Sequence, residues 1–318
     1  MSKHIHLTAT IPPDLAGKRL DQALAIMFAD HSRARLQAWI KAGVVRVDNE
    51  TARQRMPVSG GEYIEIDACY EPLENWSAEE IPLNIVYEDE ALLILNKPAG
   101  LVVHPGAGNP KHTLLNALLH HDPSLEYVPR AGIVQRLDKD TSGIMVIART
   151  PEVHSYLVAG LQSRKIKREY QAIVCGVMTS GGTIEKPIGR HPRKRTQMAV
   201  VTHGKPAVTH YRIIRKYRAH THICVQLETG RTHQIRVHMA SLKYPLVGDP
   251  VYGGRAKIPK NSSAVLIDAL RSFPRQALHA SALSLIHPYS KDTISFEVPL
   301  PGDMQELLAA LEEDERQH

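Results

Sequence analysis

The sequence holds 318 residues, 43% of them hydrophobic, enough for more than one core and best divided into a small and a large domain. Its 39 Lys and Arg against 33 Asp and Glu leave a net charge of +6, an excess that suits an acidic polymer without demanding one. No apolar run approaches the ~18 to 20 residues of a membrane span, and Cys69, Cys175 and Cys224 are too scattered for a disulfide framework or a cysteine zinc site, so a soluble cytoplasmic protein is expected.

Leu20, Ala23, Leu24, Met27 and Phe28 recur at helical spacing and predict a first helix. Ser32 offers the N-cap of a second, which carries Leu36, Trp39 and Ile40 and stops at Gly43. "VVRVDNETAR" then reads as strand, Asp-Asn turn and strand. Between Gly17 and Met56 eight Lys or Arg face four acids, and Arg33, Arg35 and Lys41 lie off the apolar stripe of the second helix. Such charges serve either as a solvated face or as a phosphate-binding surface. Residues 17–67 resemble the S4-type RNA-binding module, which implies the second use for all three.

The composition then flips. "DACYEPLENWSAEEIP" carries five acids, two prolines and no Lys or Arg, so 68–82 reads as an exposed acidic linker. From Leu83 to the C-terminus strands dominate, in runs such as "LLIL", "IMVIA", "YQAIVCGV", "AVTHYRII" and "HICVQLE". Helices are expected at "TLLNALLHH", "PEVHSYLVAGLQSRK" and "DMQELLAALEEDERQH". This pattern makes 83–318 an α+β domain rather than an alternating βαβ array.

Three stretches carry candidate chemistry. "GIVQRLDKDTSG" puts Asp138 near the end of an extended segment and Gly143 at a tight turn before the next strand; taken alone it reads first as an ordinary charged turn, with a catalytic carboxylate as the alternative. "SRKIKREYQAIV" brings Arg164, Lys165, Lys167 and Arg168 up to Tyr170, and strand alternation sets Arg168 and Tyr170 on one side, a ring beside phosphate-binding charge. In "LETGRTHQIRVHM", Gly230 breaks regularity while Arg231 and Arg236 supply permanent planar cations, able to hold a carboxylate ionised and pointed. His233 and His238 match no zinc spacing, and "HPGAGNP" lacks the Lys-Ser/Thr of a phosphate loop.

"NKPAGLVVHPG", "GIVQRLDKDTSG", "REYQA", "ETGRTHQIRVHMA" and "YPLVGDPVYGG", in that order across 83–300, resemble the RluA/RluD family of pseudouridine synthases, whose S4-bearing branch fits the N-terminal unit. The resemblance implies a mixed, mainly antiparallel sheet and an isomerase that turns uridine into pseudouridine in 23S large-subunit ribosomal RNA, with the helix 69 stem-loop as the expected target. It implies no cofactor and no metal, and as partner ribosomal RNA, free or in assembling large subunits, met by a monomer away from membranes. Asp138 matches the family's catalytic aspartate, Tyr170 the tyrosine that packs on uracil, Arg236 the arginine that pairs with the aspartate, and Arg136 the residue that fills the space left by a flipped uridine. The other basic residues, including Arg193, Lys194 and Arg195 of "RHPRKRT", are then expected on RNA phosphates.

One position departs: the family usually reads His-Arg-Leu-Asp, and here the first residue is Gln135, which cannot titrate near neutrality. Two competing readings are a non-enzymatic S4-based RNA binder and a glycoside hydrolase pairing Asp138 with Asp140. The second wants another catalytic acid near Arg236 or Tyr170, and none is expected there.

Overall fold

The computed structural model describes residues 4–28, 31, 33–53, 55–69, 76–106, 108–194, 196–255 and 257–317. The chain opens with β1 (His4–Thr10), α1 (Leu20–Met27), α2 (Arg33–Ala42), β2 (Val45–Val47), β3 (Glu50–Thr51) and β4 (Tyr63–Cys69), whose strands form an antiparallel sheet in the order β1-β4-β2-β3. Ile64 and Ile66 point inward from β4 by two-residue alternation and meet Leu20, Leu24, Leu36 and Ile40 of the two helices in one core. β1 lies ahead of the expected start at residue 17. Only Ile5 and Leu7 of its alternating "HIHLT" reach that core, a weak apolar signal for an edge strand. The N-cap expected at Ser32 lies outside the described residues.

The acidic linker is less exposed than its composition predicts. Residues 70–75 lie outside the described residues, but Trp76 packs on the larger core and meets the His104 ring edge-on at 5.6 Å. The Asn116 amide donates to the Ser77 carbonyl at 2.7 Å, and the Glu79 N–H to the Asn116 carbonyl at 3.0 Å. One large aromatic anchor outweighs the surrounding charge.

The rest runs β5 (Ile85–Glu88), β6 (Leu92–Lys97), α3 (Leu114–His121), β7 (Ser142–Ala148), α4 (Pro151–Gln162), β8 (Lys167–Cys175), β9 (Gly182–Glu185), β10 (Ile188–Arg190), β11 (Met198–Val200), β12 (Val208–Lys216), β13 (His220–Leu227), α5 (Gln234–Ser241), α6 (Ala264–Ser272), β14 (Leu278–Ile286), β15 (Thr293–Glu297) and α7 (Gly302–Arg316). Nine of these strands form one sheet, ordered β5-β6-β7-β14-β8-β13-β12-β9, with β15 on β14; every pair is antiparallel except β7 with β14. Both faces are covered. Ala172 and Val174 of β8 face the core under α3 and α4, while Ile173 between them faces α6 and α7. β10 and β11 make a separate hairpin whose inner face meets Val237 of α5.

The α+β expectation matches this sheet and its helices, but α5 and α6 were not foreseen as helices. The signal that identifies "AVLIDALRS" is Ser263, whose hydroxyl accepts from the Leu266 N–H at 3.1 Å.

Candidate active site

Asp138 follows an irregular segment rather than a strand, and Gly143 lies inside β7 rather than in the turn before it. Gly143 has φ +119, and a Cβ there would come within 2.2 Å of the Ala280 carbonyl oxygen, so β14 can lie alongside β7 only if this residue has no side chain. The loop between is pinned from below at four successive residues. Lys97 donates to the Lys139 carbonyl at 2.9 Å, Arg275 to the Asp140 carbonyl at 3.1 Å and Gln276 to the Thr141 hydroxyl at 3.0 Å, while Ser142 Oγ and His279 Nδ1 lie 2.9 Å apart. Arg275 is itself forked onto Asp303, with bonds of 2.6 and 2.8 Å.

Lys97 is fully buried and also donates to the Pro98 and Leu101 carbonyls, at 2.7 and 2.9 Å. Burial lowers its pKa to about 7, against the pull of the Asp140 and Asp138 charges. No sequence signal separates it from an ordinary strand-end lysine. Its partners are carbonyl oxygens, which every residue has.

Asp138 stands on the wall of a cleft of about 990 Å3, its side chain 23% exposed. Its Oδ2 accepts from Arg236 Nη1 at 2.9 Å, so the expected partnership of these two residues is present, with one bond instead of a fork. The fork goes to Asp249: Arg236 Nε and Nη2 donate to its two oxygens at 2.7 and 2.9 Å. A second acid therefore does lie beside Arg236, contrary to the sequence reading. It lies outside the residues lining the cleft and also accepts from the Val251 and Tyr252 N–H groups at 2.9 and 3.0 Å. Burial pushes the Asp249 carboxyl up, but Arg236 and the two amides outweigh it and hold it below the ordinary carboxylate range. Burial likewise opposes the charge on Arg236, and the two carboxylates keep it firmly protonated. The pair presents one fixed N–H to Asp138 Oδ2, while Oδ1 lies 3.8 Å from Nε2 of His233, another residue of the cleft wall.

Tyr170 and Arg168 share the cleft, as alternation along β8 predicts. Tyr170 is 7% exposed, and burial raises its pKa, so it presents a neutral ring. Arg168 reaches Gly230, where a Cβ would lie 3.1 Å from its Nη1. Gln135, Arg136, Arg164 and Arg231 also line the cleft. Arg136 donates to the Thr232 hydroxyl and Arg231 to the Pro206 carbonyl, the latter at 3.0 Å. Arg164 pairs with Glu228, which also bonds His210 at 2.7 Å.

The remaining predicted contacts separate. Lys165 and Lys167 are exposed but do not line the cleft, Lys167 because it alternates away from Arg168. Arg193 and Lys194 are exposed at the tip of the β10 and β11 hairpin, and Arg195 lies outside the described residues. Lys41 is exposed in the last turn of α2, and Arg33 pairs with the buried Asp21 at 2.6 Å while staying half-exposed. Arg35 does not fit a phosphate contact: it is 3% exposed and donates to the carbonyl of Tyr127, whose side chain packs on the N-terminal core. His238 turns from the cleft, with Nδ1 2.8 Å from Thr209 Oγ1 and Nε2 2.9 Å from the Lys186 carbonyl, so it does not converge with His233.

In chemical terms the cleft offers an aimed carboxylate, a flat neutral ring and a rim of cations, a set suited to a planar base carried on a phosphate chain.

Comparison with known proteins agrees. Residues 91–241 match the family model described as RNA pseudouridylate synthase, and 18–64 match the S4 domain. The chain is 56% identical over 314 residues to the ribosomal large subunit pseudouridine synthase D of Pseudomonas aeruginosa, covering 99% of this chain and 98% of that one. It is 53% identical over 319 residues to the protein of the same name from Escherichia coli, covering 100% and 98%. Among solved structures, human RNA Pseudouridylate Synthase Domain Containing 4 matches with TM-score 0.56 and 25% identity, covering 72% of this chain and 93% of that one. Human RNA Pseudouridylate Synthase Domain Containing 1 shares the fold, with TM-score 0.52 and 23% identity over 75% of this chain and 98% of that one.

Proposed function

The chain belongs to the RNA pseudouridylate synthase family, and on that premise we propose that it acts on large-subunit ribosomal RNA with Asp138 as the carboxylate that reacts with the target uridine. As an RNA pseudouridine synthase it is an isomerase: the bond from ribose C1′ to uracil N1 breaks, the base turns, and C5 joins C1′ while its proton is lost and N1 gains one. The observation that carries the proposal is Asp138 on the cleft wall, held by Arg236 through one of its oxygens.

A carboxylate held by one arginine suits either of two roles, attack on the nucleoside or removal of a ribose proton to promote cleavage. In both, Arg236 fixes Asp138 and Asp249 fixes Arg236. Tyr170 gives the flipped uracil a face to pack on, and Arg136 at the rim fills the gap it leaves. The exposed cations Lys41, Lys165, Lys167, Arg193 and Lys194 meet phosphates beyond the cleft. Within the ribosomal RNA the proposed target is the helix 69 stem-loop, reached by one copy of the chain with residues 17–67 gripping RNA and 83–318 doing the chemistry. Among the described residues no helix is long and apolar enough to cross a membrane.

The test maps pseudouridine in ribosomal RNA from cells with and without the chain, and from cells carrying Asp138→Asn. Loss at helix 69, unrestored by a variant that still binds RNA, is expected. An unchanged map, or restoration by Asp138→Asn, overturns the reading.

A further inference from the structure

His233 immediately precedes α5 in the left-handed region, with φ +55, an unusual backbone for a histidine. That conformation brings its ring to the cleft wall, with Nε2 3.8 Å from Asp138 Oδ1. The other ring nitrogen, Nδ1, lies 2.8 Å from the Tyr252 hydroxyl. Tyr252 is fixed in turn: its oxygen accepts from the Met198 N–H at 3.0 Å, its own N–H donates to Asp249, and the Arg236 guanidinium lies 5.1 Å from its ring centre. We assign the phenol proton to Nδ1, an arrangement in which the oxygen still accepts from Met198 and the phenol O–H is satisfied. A neutral His233 then carries its single proton on Nε2, the nitrogen that faces the reacting carboxylate.

We infer that His233 is a catalytic residue whose Nε2–H donates to O2 of the departing uracil. The inference rests on Asp138 being the group that reacts at the ribose. When C1′ to N1 breaks, the electron pair stays with the base and spreads from N1 onto O2 and O4. O2 is three bonds from C1′, so a ribose held against Asp138 brings O2 to the neighbouring donor on the same wall. The hydrogen bond strengthens as charge grows, no proton is transferred in this step, and the imidazole is unchanged at its end. A length of 3.8 Å to Asp138 is too long for a hydrogen bond between them, which leaves Nε2–H free for the base.

The charges around the ring agree. Burial pushes the His233 pKa down, helped by Arg236 and Arg136 and opposed by Asp138 and Asp249. The net direction keeps the ring neutral, so it donates without placing a full cation against Asp138, as a neutral histidine does for other developing oxyanions.

The experiment uses the full chain at saturating concentration, single turnovers, and a ribosomal RNA fragment with uridine or 2-thiouridine at the target, since sulfur accepts hydrogen bonds poorly. With uridine, His233→Phe should lower the rate about a hundredfold with RNA affinity within twofold, and His233→Gln, which keeps an amide donor, should recover most of it. Sulfur should slow the wild type far more than His233→Phe, because the variant has no donor left to lose. Equal sulfur penalties in both, or His233→Gln as slow as His233→Phe, overturn the inference. Asp138→Asn in the same assay separates the two readings: if it keeps turnover, the assignment of Asp138 has failed, whereas an inactive Asp138→Asn beside a fully active His233→Phe fails only the inference about His233.

Discussion

Three cations near Asp138 are buried and each is committed to fixed acceptors: Lys97 to three carbonyls, Arg275 to Asp303 and three carbonyls, Arg236 to Asp249 and Asp138. On the N-terminal unit and at the hairpin tip, Lys41, Arg193 and Lys194 keep their side chains in water. The same residue types therefore do different work. Buried cations fix where atoms sit to fractions of an ångström, while exposed ones contribute charge that a mobile phosphate chain can use from many positions.

The sharpest way to break this contrast is at the carboxylate itself. Asp138→Asn, which keeps shape and loses charge, should lower turnover at least about a thousandfold while leaving RNA affinity within a few-fold, measured by single-turnover kinetics and filter binding. Asp249→Asn comes next. It leaves the buried Arg236 with one carboxylate instead of two, so unfolding in urea should come about 3 kcal/mol more easily. Turnover should also fall about a hundredfold, since Arg236 is then free to turn from Asp138. Full activity in that variant would show that Asp138 needs no support from behind.

What was legible in the sequence follows the same divide. Asp138, Tyr170 and Arg236 lie in separate motifs of distinctive composition, and the structure brings all three to one cleft. Asp249 lay inside a quoted motif, yet nothing in "YPLVGDPVYGG" says that it takes the Arg236 fork. Lys97 and Arg275 hold the loop through backbone oxygens, so their partners leave no trace in side-chain identity. Arg35 sits off the apolar stripe of its own helix, and periodicity alone puts it in water; it is buried instead and donates to the Tyr127 carbonyl, 92 residues along the chain. Much of the sheet was legible because apolar runs set it, and β1 was not because half of its residues face water and the rest only partly reach a core.

Lys97 sharpens the contrast by pH. Unfolded, its amine keeps its proton to about 10.5; folded, burial lowers the pKa to about 7. Between those values the unfolded chain binds more protons, so this group's contribution to stability is full above about pH 10.5 and is lost as pH falls through 7. From pH 7 to 10, wild-type stability should therefore rise relative to Lys97→Met by about 1 kcal/mol per pH unit, read from urea midpoints. Parallel curves would mean that the three carbonyls hold the ammonium charged throughout. An exposed cation should behave otherwise: Lys194→Gln should leave stability within about 0.5 kcal/mol and turnover at saturation unchanged. It should weaken RNA binding a few-fold and reduce the salt slope of affinity by about one.

The smallest expected effect tests the position where the chain departs from its family's pattern. Gln135 lies on the cleft wall beside Arg136, with an amide that donates and accepts but holds no titrating proton. If that position only shapes the wall, Gln135→His should change the single-turnover rate less than about threefold at pH 8, where an ordinary imidazole is neutral. Below about pH 6.5 the new ring gains a charge near Arg136, and any loss should appear there, as weaker placement of the arginine and not as a new proton-transfer limb. A gain of tenfold or more at pH 8 would reverse the argument. It would make the usual histidine an acid or base in the reaction, and this chain would then have to supply the same proton from another residue of the cleft.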